Sequence, residues 1–235
     1  MFGLGYFYGI DMTYIVFVLP FVILSLVAQF NVTGTFKKYS SVASARRITG
    51  AEAAKRILER NGIYNVRVEA VKGNLTDHYD PKAGVIRLSE SVYGSTSIAA
   101  IGVASHEAGH AVQHAVGYSP IKIRMAIIPI CNIGSTLAVP LVLLGILFSS
   151  PSIAYLGVIA FAAAVLFQLV TLPVEFNASR RAIGAIEESY TLDADEIKGA
   201  KKVLTAAALT YVAALAVSLG NLLRLLVIAG RTRRR

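Results

Sequence analysis

Long apolar runs without charged residues alternate with polar segments along this chain. The first run covers residues 12–30, and with its uncharged flank to Phe36 it is long enough to cross a hydrocarbon layer of about 30 Å. Residues 126–148 and 153–174 form two further runs, separated by a Ser-Pro turn at residues 149–152. The pattern therefore predicts one single span and, later, a membrane-crossing helical hairpin.

The last apolar stretch, residues 203–229, is interrupted by Gly220, Asn221 and Arg224. If it crosses the membrane from the cytoplasm, the basic tail at residues 231–235 lies outside, against the usual preference of basic segments for the cytoplasm. If it is re-entrant or packs along the other helices, the tail stays near the cytoplasmic leaflet. We favour a packed, membrane-embedded helix, and we expect three or four membrane helices in total.

Basic residues follow the boundaries of the apolar runs and predict the topology. None precedes the first run, which is the reverse of a cleaved signal peptide and places the N-terminus outside. Basic residues at both ends of the hairpin place both of those ends in the cytoplasm. The residues concerned are Lys37, Lys38, Arg46 and Arg47 after the first run, Lys122 and Arg124 before the hairpin, and Arg180 and Arg181 after it.

The composition agrees with an integral membrane protein, because 55% of the residues are hydrophobic and the mean hydropathy is +0.60. The net charge of +9 belongs to the membrane boundaries and does not mark a recognition helix, so we expect no nucleic-acid partner. The single cysteine, Cys131, excludes an internal disulfide framework.

The polar segment between residues 40 and 125 has the signals of a small α+β region. Thr49 and Glu52 have the spacing of a capping box, which predicts a helix that continues to about Asn61. Residues 64–71 and 85–88 are predicted strands, and the segment between them is rich in turn residues.

Residues 97–116 are predicted to form a helix that contains a His-Glu-x-x-His motif. His106 and His110 are one turn apart, so both imidazoles leave the same face and can bind one metal ion. Glu107 is rotated by about 100° around the axis, which lets it reach a water molecule on the metal without being a ligand. This combination is typical of hydrolysis by a zinc-activated water with a glutamate general base.

A catalytic zinc site of this kind needs a third protein ligand, and Glu175 is the best candidate. It lies where the predicted hairpin leaves the membrane, and a carboxylate at that depth is costly unless it is bound or paired. The alternative is an ion pair with Arg180 or Arg181. Five other acidic residues are alternative third ligands, but they lie in a polar segment that is predicted to be a solvated helix end and the loop after it: Glu187, Glu188, Asp193, Asp195 and Glu196.

The two remaining histidines are weaker candidates for metal ligands. His114 continues the ladder by one more turn, but it is about 12 Å along the helix from His106, too far for one ion. We expect His114 to lie at the surface or to contact the ligand residues without binding the metal. His78 lies in a turn-rich segment without ligand spacing and is expected to be a turn or strand residue.

Two further roles can be proposed from the pattern. The strand residues Val85, Ile86 and Arg87 lie upstream of the motif helix and could offer a strand edge to a peptide substrate, although the strand could equally well only pack on the helix. Tyr211 could donate its hydroxyl to the oxyanion of the reaction, but an aromatic residue in an apolar helix is more often part of the core.

The segments HEAGHAVQHA and PVEFNASRRA resemble those of the YugP-type membrane zinc metallopeptidases, and DHYDP and AAALTYVAA extend the resemblance over most of the chain. In layout the chain is also similar to HtpX-like and CAAX-prenyl-type gluzincin proteases, which have two membrane helices between the two parts of the zinc site. The resemblance implies His106, His110 and Glu175 as Zn²⁺ ligands, Glu107 as catalytic base and an active site at the cytoplasmic face.

One position departs from the HtpX-like pattern, which usually reads Glu-x-x-Ala-Asp after the membrane hairpin. Here the last residue of that pattern is Ser179. The carboxylate that would orient a histidine ligand is therefore missing at that place, and Asn177 or Ser179 are the candidates to replace it.

These observations predict a mainly α integral membrane protein with a small α+β, zincin-like catalytic part. We expect four segments: an N-terminal anchor (1–36), a cytoplasmic part with the motif helix (37–125), the hairpin (126–174), and a Glu-ligand helix with a membrane-associated C-terminal helix (175–235). The expected activity is endopeptidase cleavage of a peptide or membrane-protein substrate at the cytoplasmic face of the cell membrane.

Four other interpretations compete with this one. A site-2-type intramembrane protease has the same motif, but within a spanning helix and with a late Asp ligand. An ATP-dependent FtsH-like protease would require a phosphate-binding loop, and no such sequence occurs here. A non-catalytic zinc-binding scaffold would not need Glu107. A transporter is disfavoured because only Arg224 places a charge deep in an apolar run. The oligomeric state does not follow from the pattern.

Overall fold

The computed structural model describes residues 12–232, which form eight helices and one small sheet. The helices are α1 (Met12–Phe17), α2 (Leu19–Ser40), α3 (Gly50–Arg60), α4 (Glu90–Tyr93), α5 (Ile98–Ala115), α6 (Ser119–Leu147), α7 (Pro151–Glu188) and α8 (Ala194–Thr232). The strands are β1 (Arg67–Val71), β2 (His78–Asp80) and β3 (Val85–Ser89). The expectation of a mainly helical chain with a small sheet is confirmed.

The chain divides into two compact units, each built from separate stretches of sequence. We call residues 29–122 and 172–209 the motif unit, because it contains the His-Glu-x-x-His helix. We call the described residues of the other group the apolar unit: 12–28, 123–171 and 210–232. The four segments predicted from the sequence follow one another along the chain, and this division stays a prediction.

The motif unit has an ordinary hydrophobic core. The helix α3 begins with the predicted capping box, in which the Thr49 side chain accepts from the Glu52 N–H and the Glu52 carboxylate accepts from the Thr49 N–H. Apolar residues on one face of α3 pack with the sheet and with α5. The buried members include Ile57, Leu58, Ile86, Leu88 and Ala104. This core packs α5 beside the sheet.

The strand order is β1-β3-β2, with β1 parallel and β2 antiparallel to the central strand β3. The prediction that Val85, Ile86 and Arg87 offer a free strand edge is therefore wrong. All three residues are paired on one side with β1 and on the other with β2. The physical reason is that residues 78–80, expected as part of a turn, pair with β3 and complete a three-stranded sheet.

The apolar unit consists of helix segments that approach each other closely at small residues. A methyl group added at Gly157 of α7 would lie 2.6 Å from the Ala138 carbonyl oxygen of α6, and one at Gly134 would lie 2.8 Å from the Ala160 carbonyl oxygen. Small residues at such positions are typical of helix pairs in membranes, where lipid is as apolar as the side chains. Val142 and Ala154 lie in the buried center of this packing.

Within residues 12–232, four helices are long and apolar enough to cross a membrane: α2, α6, α7 and α8. In each of them, no more than 22% of the apolar window is buried inside the protein, as expected for residues that face lipid. The first run forms two consecutive helices, α1 and α2, which are separated only at Val18, two residues before Pro20, whose nitrogen has no hydrogen to donate.

The last two helices differ from the expected pattern. The helix α7 continues without interruption through Pro173 and beyond the predicted membrane exit to Glu188. The helix α8 runs unbroken through Gly220, Asn221 and Arg224, where we expected an interruption. The Asn221 amide donates to the Val217 carbonyl of the same helix. Composition alone overestimated the helix-breaking strength of these residues.

Candidate metal centre

The motif lies on α5, whose first turn is capped by Ser97. The Ser97 hydroxyl accepts from the Ala100 N–H at 3.2 Å. His106 and His110 leave the same face, and their rings meet edge to face with centroids 4.7 Å apart. The predicted helix and the shared face of the two histidines are present in the structure.

The part of α7 that belongs to the motif unit, residues 172–188, brings Glu175 to these histidines. The approach is close because α5 carries Gly109 at the crossing point. A methyl group added there would lie 2.6 Å from the Ala178 carbonyl oxygen of α7. Only glycine leaves room for the α7 backbone at this distance, so Gly109 sets the spacing on which the meeting of the three side chains depends.

His106, His110 and Glu175 are brought together around one point. The Glu175 Oε2 atom lies 3.2 Å from His106 Nε2 and 3.6 Å from His110 Nε2, and the three ligand atoms lie within 4.8 Å of one another. Bonds of about 2.1 Å to a tetrahedral zinc ion place two ligand atoms roughly 3.4 Å apart. The two contact distances fit this geometry, and three protein ligands leave a fourth position open.

Polar side chains hold the other ring nitrogen of each histidine. His106 Nδ1 lies 3.1 Å from the Ser179 hydroxyl, and His110 Nδ1 lies 3.0 Å from Gln113 Oε1. The Gln113 amide nitrogen donates to the Val174 carbonyl and to Asn177 Oδ1, so its oxygen must be the acceptor for His110. His110 Nδ1 then carries the proton, and the Nε2 atoms of both histidines are directed at Glu175.

Asn177 belongs to the same network without contacting a histidine. Its Oδ1 accepts from the Gln113 amide at 3.0 Å and from Arg181 Nε at 2.8 Å. Arg181 therefore bonds to Asn177. Ser179 and Asn177 were both candidates for orienting partners, and the structure places them on different histidines, one directly and one through Gln113.

Glu107 is a buried carboxylate beside the histidine pair, with 9% of its surface exposed. Burial lowers the pKa of His110, but the hydrogen bond to Glu175 and the negative charge of Glu107 raise it more, and the net effect is a raised pKa. A proton and a metal ion compete for the same Nε2 lone pair. The negative charges of Glu107 and Glu175 favor a cation at this place, whether the cation is a proton or a metal ion.

The remaining predicted residues do not join the cluster of three ligand atoms within the part of the chain that the structure describes. His114 is exposed and its ring meets Tyr79 edge to face at 6.1 Å, and His78 begins β2. Tyr211 lies on α8 in the apolar unit, so its role stays a prediction.

Four of the five rival acidic residues have other contacts. Glu188 lies 4.0 Å from Arg60, Asp193 lies 3.9 Å from Arg46, and Asp195 bonds to Lys198 at 2.8 Å. The Glu196 carboxylate accepts from the Ala45 and Asp193 N–H groups. These contacts belong to a solvated helix end.

Sequence reasoning missed Gln113, the side chain that orients His110. Its side chain is completely buried, which is unusual for glutamine unless all its hydrogen bonds are made. A signal was present: Gln113 is three residues after His110 on the same helix, among alanine and valine, so it had to lie beside the histidine on a buried face.

The charged groups on the sheet serve the fold. Hydrogen bonds from the Ala83 N–H and from Arg87 hold the pKa of Asp80 below its usual value. Burial raises the pKa of the neighboring Tyr79, and the charge of Asp80 adds to that effect. Arg87, expected at a substrate edge, is engaged with Asp80 at 3.1 Å and stabilises the turn between β2 and β3.

Residues 14–230 match the model of a family described as "Putative neutral zinc metallopeptidase". The chain belongs to this family. It is also 54% identical over 205 residues to "Putative membrane protease YugP" of Bacillus subtilis (strain 168), an alignment that covers 87% of this chain and 91% of the relative. No solved structure matches. The family predicted from the sequence motifs is confirmed, and the family description agrees with the ligand set that the structure brings together.

Proposed function

We propose that this protein is a zinc-dependent endopeptidase that hydrolyses peptide bonds at the membrane surface. The observation that carries the proposal is the meeting of His106, His110 and Glu175 from two helices around one point, with the buried Glu107 beside them. The family description and the relative named as a membrane protease support the same reaction class.

The donor set favours zinc. Two imidazole nitrogens and one carboxylate oxygen form a known catalytic zinc set, whereas Ca²⁺ and Mg²⁺ prefer oxygen ligands throughout. Both Nδ1 atoms are already engaged by Ser179 and Gln113, so the Nε2 lone pairs remain for a metal ion. When bound, zinc would lower the pKa of a water molecule and polarise the substrate carbonyl.

The chain's own residues supply the other parts of the reaction. Glu107 accepts the proton of the attacking water and transfers it to the nitrogen of the leaving amine, as a general base that becomes a general acid. Its burial keeps competing water away from the carboxylate. Ser179, Gln113 and Asn177 keep the imidazole rings oriented, and Tyr211 is a candidate donor to the oxyanion.

The substrate is proposed to be an extended peptide segment, as in a protein that has lost its fold or a membrane protein with an accessible loop. Within residues 12–232, β2 pairs on one side only, and its Tyr79 contacts His114 on the motif helix. The free edge of β2 could therefore align a peptide backbone along α5. Backbone pairing gives binding without strong sequence preference.

The proposed location is the cell membrane, with the N-terminus outside and the active site on the cytoplasmic face. The four candidate spans and the relative's name support a membrane protein. The side of the membrane rests on the distribution of basic residues, which are absent before the first run and flank both ends of the hairpin.

Replacing Glu107 by Gln tests the enzyme hypothesis. The purified full-length protein in detergent should cleave an unfolded test protein, and Glu107→Gln should reduce the rate by roughly 10²–10⁴-fold, the range of general-base contributions. Zinc content should stay unchanged, because Glu107 is not a ligand. The matched control is Glu187→Gln, an exposed acid-to-amide change on α7.

The two possible failures are distinguishable. If the wild type and Glu107→Gln cleave at the same residual rate while both retain zinc, the site holds metal without turnover, as in a zinc-binding scaffold. If neither protein binds zinc at neutral pH, the metal assignment itself is wrong.

A further inference from the structure

The motif unit contains a basic groove that the proposed reaction does not use. It lies between α2 and the first turns of α8 and has a volume of about 510 Å³, within the roughly 300–1,000 Å³ range of ligand clefts. Asn31 and Thr35 line it from α2, and Lys198, Lys201 and Lys202 line it from α8.

The two helices are held close together at the end of this groove. A methyl group added at Gly199 of α8 would lie 2.7 Å from the Tyr39 ring of α2. The glycine therefore lets the ring of Tyr39 rest on the α8 backbone. This contact sets the spacing of the groove walls, so the groove is a property of helix packing and not of flexible side chains alone.

The groove carries unbalanced positive charge. Lys198 forms an ion pair with Asp195 at 2.8 Å. Lys201 and Lys202 are exposed, and neither forms an ion pair with any other residue in the described range. Two adjacent ammonium groups beside the hydroxyl of Thr205 can bind an anion with several oxygen atoms, such as a phosphate group.

The same groove has an apolar side. Its lining includes the buried Ala206 and Leu209, which is 44% exposed. Beyond the lysines, α8 continues as an apolar helix, and α2 presents Val27 and Phe30 before Asn31 with 59% and 76% of their surface exposed. The charged part of the groove therefore lies at the polar end of two candidate membrane helices.

From this arrangement we infer that the groove between α2 and α8 binds the headgroup of an anionic phospholipid. The phosphate group would contact Lys201 and Lys202, the glycerol part would face the polar side chains of Asn31 and Thr35, and an acyl chain would follow Leu209. Basic pockets between membrane helices at the level of the headgroups are typical lipid sites. A soluble phosphate compound shares the anionic chemistry but would leave the apolar side exposed to water.

Native mass spectrometry of the full-length protein in detergent tests the inference. The probes are phosphatidylglycerol and phosphatidylcholine with identical acyl chains. Wild type should retain phosphatidylglycerol in preference to phosphatidylcholine. Because a lysine near the membrane surface contributes roughly fivefold in affinity, the Lys201→Gln/Lys202→Gln protein should bind phosphatidylglycerol roughly 25-fold more weakly.

Three variants separate a built groove from a general effect of charge. Lys55→Gln/Lys72→Gln removes two exposed lysines outside the groove and should bind like the wild type. Lys201→Arg/Lys202→Arg keeps the charge and should retain at least half of the binding. Thr205→Trp keeps every charge but fills the groove, and it should weaken binding about as much as the double glutamine variant.

Several results would overturn the inference. One is an equal loss of phosphatidylglycerol binding in Lys201→Gln/Lys202→Gln and in Lys55→Gln/Lys72→Gln. The others are full phosphatidylglycerol binding by Thr205→Trp and equal retention of the two lipids by the wild type. Displacement of phosphatidylglycerol by sodium phosphate at the same concentration as the lipid would assign the groove to a soluble anion instead of a membrane lipid.

Discussion

The two units of the chain are stabilised by different means, because they are built for different solvents. In the apolar unit, helices meet at glycine and alanine, and large apolar side chains such as Ile130 and Ile159 point outward with 66% and 67% of their surface exposed. In the motif unit, apolar side chains are inside and polar networks fix individual groups. A helix pair in lipid is held by close steric fit, whereas an aqueous unit can add burial and directed hydrogen bonds.

The close approach of Gly109 to Ala178 is where the motif unit uses the packing rule of the apolar unit. Both Gly109 and Gly157 would place an added methyl group 2.6 Å from a carbonyl oxygen of the neighboring helix. In one unit the contact only joins two helices. In the other it also brings Glu175 to His106 and His110, so the same steric contact has a chemical consequence.

The largest expected effect is on metal binding in the motif unit. Glu175→Ala removes one of three protein ligands, and a ligand's share of the roughly 10–16 kcal/mol found for four-ligand zinc sites is about 3 kcal/mol. The zinc affinity should fall by at least about 100-fold, measured by competition with a chelating dye. An unchanged affinity would place the third ligand elsewhere. The exposed Glu187→Ala is the matched control.

A smaller effect is expected where the network orients His110. Gln113→Ala leaves Nδ1 without its acceptor and should lower the zinc affinity by about 10–100-fold, the usual range for such partners. Loss of stability without loss of affinity would mean that Gln113 only fills space. Gln113→Glu keeps an acceptor at the same atom and should recover part of the affinity.

Steric fit predicts opposite outcomes for the same substitution at two positions of α7. Gly157→Ala forces a methyl group against Ala138 in the apolar unit and should destabilise the protein by about 1–3 kcal/mol. Gly184→Ala, in the motif unit, meets nothing within 4 Å and should stabilise by about 0.5–1 kcal/mol. Unfolding in a denaturing detergent measures both. Equal effects would remove the distinction between the two positions.

The smallest effects belong to the capping box of α3. Thr49→Ala should destabilise the motif unit by about 1 kcal/mol, measured by thermal unfolding followed by circular dichroism. A loss well below this value would show that α3 is held by its packing alone. The conservative Thr49→Ser should retain most of the stability.

The same box predicts a weak acid dependence. Hydrogen bonds from the backbone and side chain of Thr49 lower the pKa of Glu52 in the folded state, so the stabilisation exists above the ordinary pKa of 4.5 and is lost as the pH falls through the lower, folded value. Because Glu52 is exposed, the change should be a few tenths of a kcal/mol. Glu52→Gln should reduce the acid-dependent loss in unfolding measurements between pH 7 and pH 3.

The sequence predicted local features well where one stretch of chain contains the whole signal. The capping box of Thr49 and Glu52, the helix around His106, and the long apolar runs all depend on neighbors within a few positions. The prediction of Glu175 used a different kind of reasoning, namely the cost of an unpaired carboxylate at a membrane boundary, together with the need for a third ligand.

The tertiary structure alone decided which elements are neighbors. It showed that β3 is the central strand. The sequence could not predict this, because a short strand can pair on either edge and the three residues 78–80 are too few to reveal a period. It showed the buried bonds of Gln113, since a glutamine's partners lie 61 and 64 positions away along the chain. Sequence patterns record what a residue prefers locally, whereas pairing partners depend on where the folded backbone brings distant residues together.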